Sequence, residues 1–310
     1  MKVLITGICG FIGHNIASYL YSRGYEVLGI DNFERISPRA PRILKSLGIE
    51  MYKVDIRNRE KLRDLMRDVD VVIHTAAYVD IEESFKKPLL YVDNNVVGTV
   101  SLLNICAKAD VRRVIYLSSA AVYGEPTKLP INEDHVTKPL SPYGATKLVG
   151  EIFTEILSKS YGFEYVILRL FNVYGPGQEE SPYAGVITKF ISRMCRGEPP
   201  IIYGSGEQTR DFIHVTDVAK AIELSINTKY SNQIFNIATG KPTKIKDLAR
   251  IISKLIGKEF SPLFKSRRPG DIEHSYADIS KAIRLLGFYP KVQLIEGLKE
   301  LIEIMCENRY

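Results

Sequence analysis

Lys2-Val3-Leu4-Ile5-Thr6-Gly7-Ile8-Cys9-Gly10-Phe11-Ile12-Gly13 couples a short apolar run to three glycines at intervals of three. The run suits a buried strand. Glycines at that spacing permit a tight turn, let a ligand approach the backbone, and let the following helix pack closely on the strand. Residues 3–22 carry no charged side chain and are long enough to span a bilayer. The three glycines, with Thr6, His14, Asn15 and Ser18 among them, read instead as soluble strand, turn and helix.

Working outward, short β-branched runs recur at 27–30, 71–73, 114–117 and 165–170. Helical patterns lie between them. Asn58 can cap a helix whose Leu62, Leu65 and Met66 form one stripe, and Val96, Val100, Leu103 and Ala107 form another, expected to be buried. Alternating strands and helices, with strands apolar throughout, predict an α/β fold: a doubly wound parallel sheet covered on both faces. Past Asn172 the character changes. Residues 174–182 and 197–210 read as long Gly/Pro/polar loops of functional type, and 245–255 and 294–305 as helices.

Composition is ordinary for a globular protein: 310 residues, 45% hydrophobic and 25% charged, which excludes a disordered or collagen-like chain. Forty-two Lys+Arg against 36 Asp+Glu leave +6, with no block of like charge, so nucleic acid is not an expected partner. Cys9, Cys106, Cys195 and Cys306 are scattered without a CxxC pair, so no disulfide framework and no metal site are expected, and a reducing cytoplasm is the simplest setting.

The glycine loop places backbone N–H groups and a helix N-terminus where a pyrophosphate would sit. Asp31, eighteen residues past Gly13, ends the second strand-like run; a carboxylate there accepts from adenosine ribose hydroxyls and repels a 2′-phosphate, which favours NAD over NADP. Asp55 either meets the adenine amino group or caps the following helix. Farther on, Tyr143 and Lys147 stand four apart on a helical pattern, preceded by Ser118 and Ser119. A phenol with a reference pKa near 10 is a poor base at neutral pH, and a neighbouring ammonium moves it toward use as one.

In this order, the GxxGxxG loop, Asn94, Ser119 and Tyr143-x-x-x-Lys147 resemble the extended short-chain dehydrogenase/reductases. Within them they resemble the NAD-dependent nucleotide-sugar epimerases, over residues 2 to about 278. The resemblance implies a Rossmann domain over 1–171, with a strand near 234–238 returning to it, and a smaller, discontinuous α/β nucleotide-sugar domain over 172–310. It implies that NAD is held by Gly7, Gly10, Phe11, Ile12, Gly13, Asp31, Asn32, Asp55, Ile56, Ala76, Ala77, Asn94, Ser118, Tyr143, Lys147, Phe171 and Val173. Ser119, Tyr143 and Lys147 become the catalytic set. Ser119, Tyr143, Asn172, Val186, Tyr203, Arg210, Arg268, Asp271 and Ser275 become the contacts to a UDP-sugar, with the two arginines on its diphosphate.

Related dehydratases and decarboxylases carry acidic residues after the catalytic hydroxyl. Here Ala120 and Ala121 stand there, which favours oxidation and re-reduction at C4 of a UDP-hexose over elimination chemistry. A UDP-glucuronate epimerase stays open, and a non-catalytic NAD-sensing module is the remaining rival. Ser275 falls where members restricted to glucose and galactose carry a bulky Tyr, so N-acetylated sugars are expected to fit. A cytoplasmic homodimer with no membrane association, paired through helices near 94–108 and 143–160, completes the expectation.

Overall fold

The computed structural model describes residues 1–178, 184–267 and 271–307. Its first half alternates strand and helix: β1 (Lys2–Thr6), α1 (Phe11–Ser22), β2 (Glu26–Asp31), α2 (Ala40–Ser46), β3 (Glu50–Lys53), α3 (Arg59–Leu65), β4 (Val71–His74), α4 (Ile81–Lys86), α5 (Pro88–Tyr91), α6 (Gly98–Lys108), β5 (Arg113–Ser119), α7 (Pro142–Tyr161) and β6 (Glu164–Leu170). The second half adds β7 (Asn172–Tyr174), α8 (Val186–Cys195), β8 (Ile201–Tyr203), β9 (Thr209–His214), α9 (Val215–Asn227), β10 (Gln233–Ile237), β11 (Pro242–Lys244), α10 (Ile245–Ile256), β12 (Leu263–Lys265), β13 (His274–Ser275), α11 (Ser280–Leu286) and α12 (Leu294–Ile302).

Seven parallel strands form the main sheet in the order β10-β6-β5-β4-β1-β2-β3. Its strands are apolar throughout because both faces are covered. Val3 and Ile5 of β1 join a core shared with α1 and α9, while Leu4 joins the opposite core with Leu102, Leu103 and Cys106 of α6. The strand order reverses direction between β1 and β4, and at the carboxyl ends of such strands an open α/β sheet leaves a crevice. β10 comes from late in the chain yet pairs with β6, carrying the polypeptide back to this sheet.

A third core, built by α8, α10, α12, β8 and β9, packs beside it. There β9 is flanked by β11 and β13 and also pairs with β7, and β8 pairs with β12. The supposed loop at 197–210 therefore carries a strand. Asn58 caps α3 by accepting from the Lys61 amide, as its spacing predicts.

Two expectations are corrected. The 92–97 segment is not regular α-helix but a π-helical turn, which shifts the phase that places the Val96 stripe in the core. Val96, Val100 and Ala107 are only half-buried, while Asn94 and Asn95 turn inward. Cys195 and Cys306, 111 residues apart, form a disulfide joining the end of α8 to the turn after α12. The fold brings them together, and no local spacing marks the pair.

Candidate active site

A trough of about 500 Å³ runs over the carboxyl ends of β1, β2 and β4. Gly7, at φ +67°, makes the turn out of β1, and a Cβ on Gly13 would lie 2.2 Å from the Gly7 carbonyl, so the helix can follow the turn only with glycine there. α1 begins without a capping side chain and without an acidic residue in its first turn. Its N-terminal amides are therefore left for an anion. At the end of β2, Asp31 is buried, and its carboxylate accepts from the Cys9 amide at 3.0 Å and the Phe33 amide at 2.8 Å. Burial raises its pKa, and the two N–H groups oppose that rise.

Phe11, Ile12, Asn32, Asp55, Ile56, Ala76, Ala77 and Asn94 also line this trough. Asp55 is gripped by the Arg57 guanidinium at 2.6 and 2.8 Å, which holds its carboxyl below the usual range. The π-helical turn presents Asn94 to the trough, while Asn95 accepts from the Tyr78 amide and donates to the Thr146 hydroxyl at 3.0 Å. Free helix-terminal amides, a buried carboxylate at the end of β2 and the unpartnered buried hydroxyl of Ser37 on the trough wall fit a dinucleotide.

A second cavity of about 970 Å³ meets the first at Val79, which lines both. Ser119, Tyr143, Phe171, Asn172, Val186, Tyr203, Arg210, Asp271 and Ser275 all stand on its wall. Arg268 lies outside the described residues. Ser141 caps α7 by accepting from the Gly144 amide, and Pro142 follows at its first turn; this sets Tyr143 at the start of the helix. Burial raises the Tyr143 phenol above its ordinary pKa, against a hydrogen bond with Ser119. One turn on, Lys147 is almost completely buried and lines neither cavity. Its ammonium donates to the Leu117 carbonyl at 2.6 Å, and burial pulls its pKa down to about 8. The phenol thus stands on the wall of the second cavity, and the ammonium one helical turn on is buried behind that wall.

Arg210 and Asp271 pair with each other across the second cavity, and burial lowers the Arg210 pKa against that pairing. Beside them Asp211, fully buried, accepts from the amides of Thr239, Gly240 and Ala277 and from the Thr239 hydroxyl. That carboxylate ties β9 to the segments carrying the rest of the wall, a role no local motif announced.

Several residues expected at NAD lie away from the trough. Ser118 faces the other side of β5, where its hydroxyl donates to Glu151, so strand alternation takes it away from the trough. Val173 packs on the main core and lines neither cavity, because Asn172 takes the inward position of β7; of the other residues expected at NAD, Tyr143 and Phe171 line only the second cavity and Lys147 lines neither. Arg35 was missed. It reaches the Glu83 carboxylate with both terminal nitrogens, at 2.6 and 3.1 Å, and lies 3.8 Å from the Tyr78 ring centroid, closing one wall of the trough. His74 is a core residue: Thr6 and Thr99 bond its two ring nitrogens at 2.8 Å each, and burial pushes its pKa down to about 3.

A profile of the NAD dependent epimerase/dehydratase family matches residues 3–238. The chain is 41% identical to a Methanocaldococcus jannaschii protein provisionally named a UDP-glucose 4-epimerase, over 99% of each. Among solved structures it resembles the Thermotoga maritima UDP-glucose 4-epimerase with UDP-glucose, at 34% identity, a TM-score of 0.94 and 99% coverage of both chains. It also resembles the UDP-N-acetylglucosamine 4-epimerase of Methanobrevibacter ruminantium M1 in complex with UDP-N-acetylmuramic acid, at 37% identity and a TM-score of 0.93, covering 99% of this chain and 98% of that one. With its parallel sheet, glycine turn and paired cavities, the chain belongs to the NAD dependent epimerase/dehydratase family.

Proposed function

We propose that the protein interconverts the C4 epimers of a UDP-hexose, UDP-galactose and UDP-glucose in the first place, through a transient 4-keto sugar. The observation that carries this reading is the position of Tyr143 and Ser119 on the substrate-cavity wall, near the cofactor trough, with Ala120 and Ala121 as their neighbours. Alanine exchanges no protons, so positions 120 and 121 offer no acid or base to elimination of water or to decarboxylation.

Bound NAD supplies the hydride acceptor that oxidises C4 and the donor that reduces it again. Tyr143 takes the proton of the 4-hydroxyl as the C4 hydride leaves and returns a proton to the oxygen when hydride comes back on the opposite face, so atoms and electrons balance over the cycle. Ser119 holds the same oxygen, first as hydroxyl and then as carbonyl. Lys147 supplies the positive charge that favours phenolate in a buried site where the phenol alone resists ionisation. Arg210 and Asn172 hold the diphosphate, joined by Arg268, and Tyr203 stacks on uracil.

Incubating the purified protein with UDP-galactose, without added NAD, should yield UDP-glucose on chromatographic separation. Failure with UDP-hexoses, alongside turnover of UDP-glucuronate, would reassign the substrate. The small side chain of Ser275, buried on the cavity wall in β13, supports acceptance of a C2 N-acetyl group. Turnover of UDP-N-acetylgalactosamine by the wild type, lost in Ser275→Tyr while UDP-galactose is still converted, checks that reading.

A homodimer is supported by exposed apolar side chains on adjacent helices: Phe85 of α4, Leu89 of α5, and Ile152 and Ile156 of α7. Light scattering of wild type and Ile152→Asp tests it. A cytoplasmic location completes the proposal and is tested by fractionation; the Cys195–Cys306 disulfide, of a kind rare in a reducing compartment, is the observation that stands against it.

A further inference from the structure

Behind the catalytic wall lies a charged cluster that the reaction as described leaves without a task. Glu151 stands one helical turn past Lys147 on α7 and is 2% exposed. Arg169 of β6 grips it with a fork, Nε to Oε1 at 3.0 Å and Nη2 to Oε2 at 2.7 Å, and Ser118 donates to the same Oε1. Arg169 is otherwise occupied by the Glu133 carbonyl and the Tyr123 ring, whose centroid lies 4.8 Å from its guanidinium carbon. Burying an ion pair is rarely a gain in stability over an apolar pair of the same shape, so two charges this deep call for another reason.

We propose that Glu151 is a positioning residue for the epimerisation: it fixes Ser118, and so the adjoining Leu117 whose carbonyl takes the Lys147 ammonium, and it sets a negative charge one helical turn from that ammonium which Arg169 partly offsets. The inference rests on the roles given to Tyr143 and Lys147 above. The other groups around Lys147 are Tyr143 one turn before it, Tyr116 of β5 with its ring centroid 4.9 Å from Nζ, and His74 of β4, held neutral by burial. Tyr78 and Tyr91 pack against Tyr143, and Asn95 reaches the adjacent Thr146. Glu133, Tyr123 and Glu155 stand nearer the Arg169 and Glu151 end. Among these described acidic groups, Glu151 is the one four residues from Lys147 on the same helix and joined to its Leu117 acceptor through the neighbouring Ser118; its charge opposes the loss of the Lys147 proton. Lys147, Glu151 and Arg169 together sum to one positive charge. Removing the carboxylate leaves two buried cations and makes Lys147 shed its proton more readily, and removing Arg169 leaves Lys147 alone with Glu151 and does the reverse.

The test is the alkaline limb of the activity–pH profile, measured on protein with its NAD content determined and its folding checked by circular dichroism. Glu151→Gln should move the limb down by about one pH unit and Arg169→Met should move it up, since one neighbouring charge shifts a buried group by that order. Glu151→Asp, which keeps the charge, should stay near the wild type. If Glu151→Gln does not fold, the double variant Glu151→Gln/Arg169→Met leaves no unpaired partner and should still fall below the wild type. Limbs that do not move, or that move in the same direction in both single variants, would overturn the proposal and leave a structural ion pair. Direct titration of Lys147 by ¹⁵N NMR of labelled lysine should give the same two signs without turnover. An inactive wild type would thus count against the substrate reading, and NMR shifts of the wrong sign against this one.

Discussion

The cofactor trough and the substrate cavity are built in different ways. The trough comes largely from consecutive β–α units in the first hundred residues. Its chemistry is mostly backbone: a glycine turn, an uncapped helix end, and a carboxylate held by two amides. The cavity gathers separate stretches around Ser119, Tyr143, Asn172, Val186, Tyr203, Arg210 and Asp271, and depends on side-chain pairing to hold them together. A site made of local backbone tolerates little substitution but needs few distant partners, and a site gathered from far-apart segments can be retuned one residue at a time.

Breaking each half separately sharpens the contrast. Gly13→Ala forces a Cβ to within 2.2 Å of the Gly7 carbonyl, so the turn must move. The purified variant should carry almost no NAD and no activity, with about 1–3 kcal/mol less stability from overpacking, checked by cofactor release and thermal unfolding. Tyr143→Phe should leave NAD content intact and lower kcat by about 10²–10⁴-fold, the usual worth of a positioned acid–base. Wild-type kcat in that variant would remove the proposed base. Arg210→Ala should raise KM for the nucleotide sugar roughly 10- to 100-fold through one lost charge-assisted contact, with NAD content unchanged. If it also empties the trough, the two halves are not separable. The smallest effect is on pH. Lys147 carries its charge below its pKa of about 8 and loses it above, so activity should decline on the alkaline side with a midpoint in that region.

The same contrast explains what could be read from residues alone. Gly7, Gly10, Gly13 and Asp31 announce the trough because turn chemistry and strand ends are local, and the Tyr143–Lys147 spacing announces one face of a helix. Asp211 is silent in the sequence because its partners Thr239 and Ala277 come together only when β9 is flanked by later segments. The Arg35–Glu83 pair spans 48 residues and the Cys195–Cys306 bridge 111, and neither has a periodic signature. Ser118 was misplaced by one step along a strand, where one step is the difference between the two faces of a sheet.

The pairing of Arg210 with Asp271 has a bearing on selectivity. The guanidinium already has an anion of the protein's own, so a ligand must bring a competing negative charge to exchange for it. A nucleoside diphosphate brings two phosphates to that exchange; a free hexose brings none and would have to settle in a site that stays closed on itself. With Arg210 holding the diphosphate as proposed, the expected consequence is that the carboxylate favours sugars that arrive on a phosphorylated carrier. Occupancy should then be sensitive to dissolved phosphate and to ionic strength, as it should also be at the helix N-terminus of the trough.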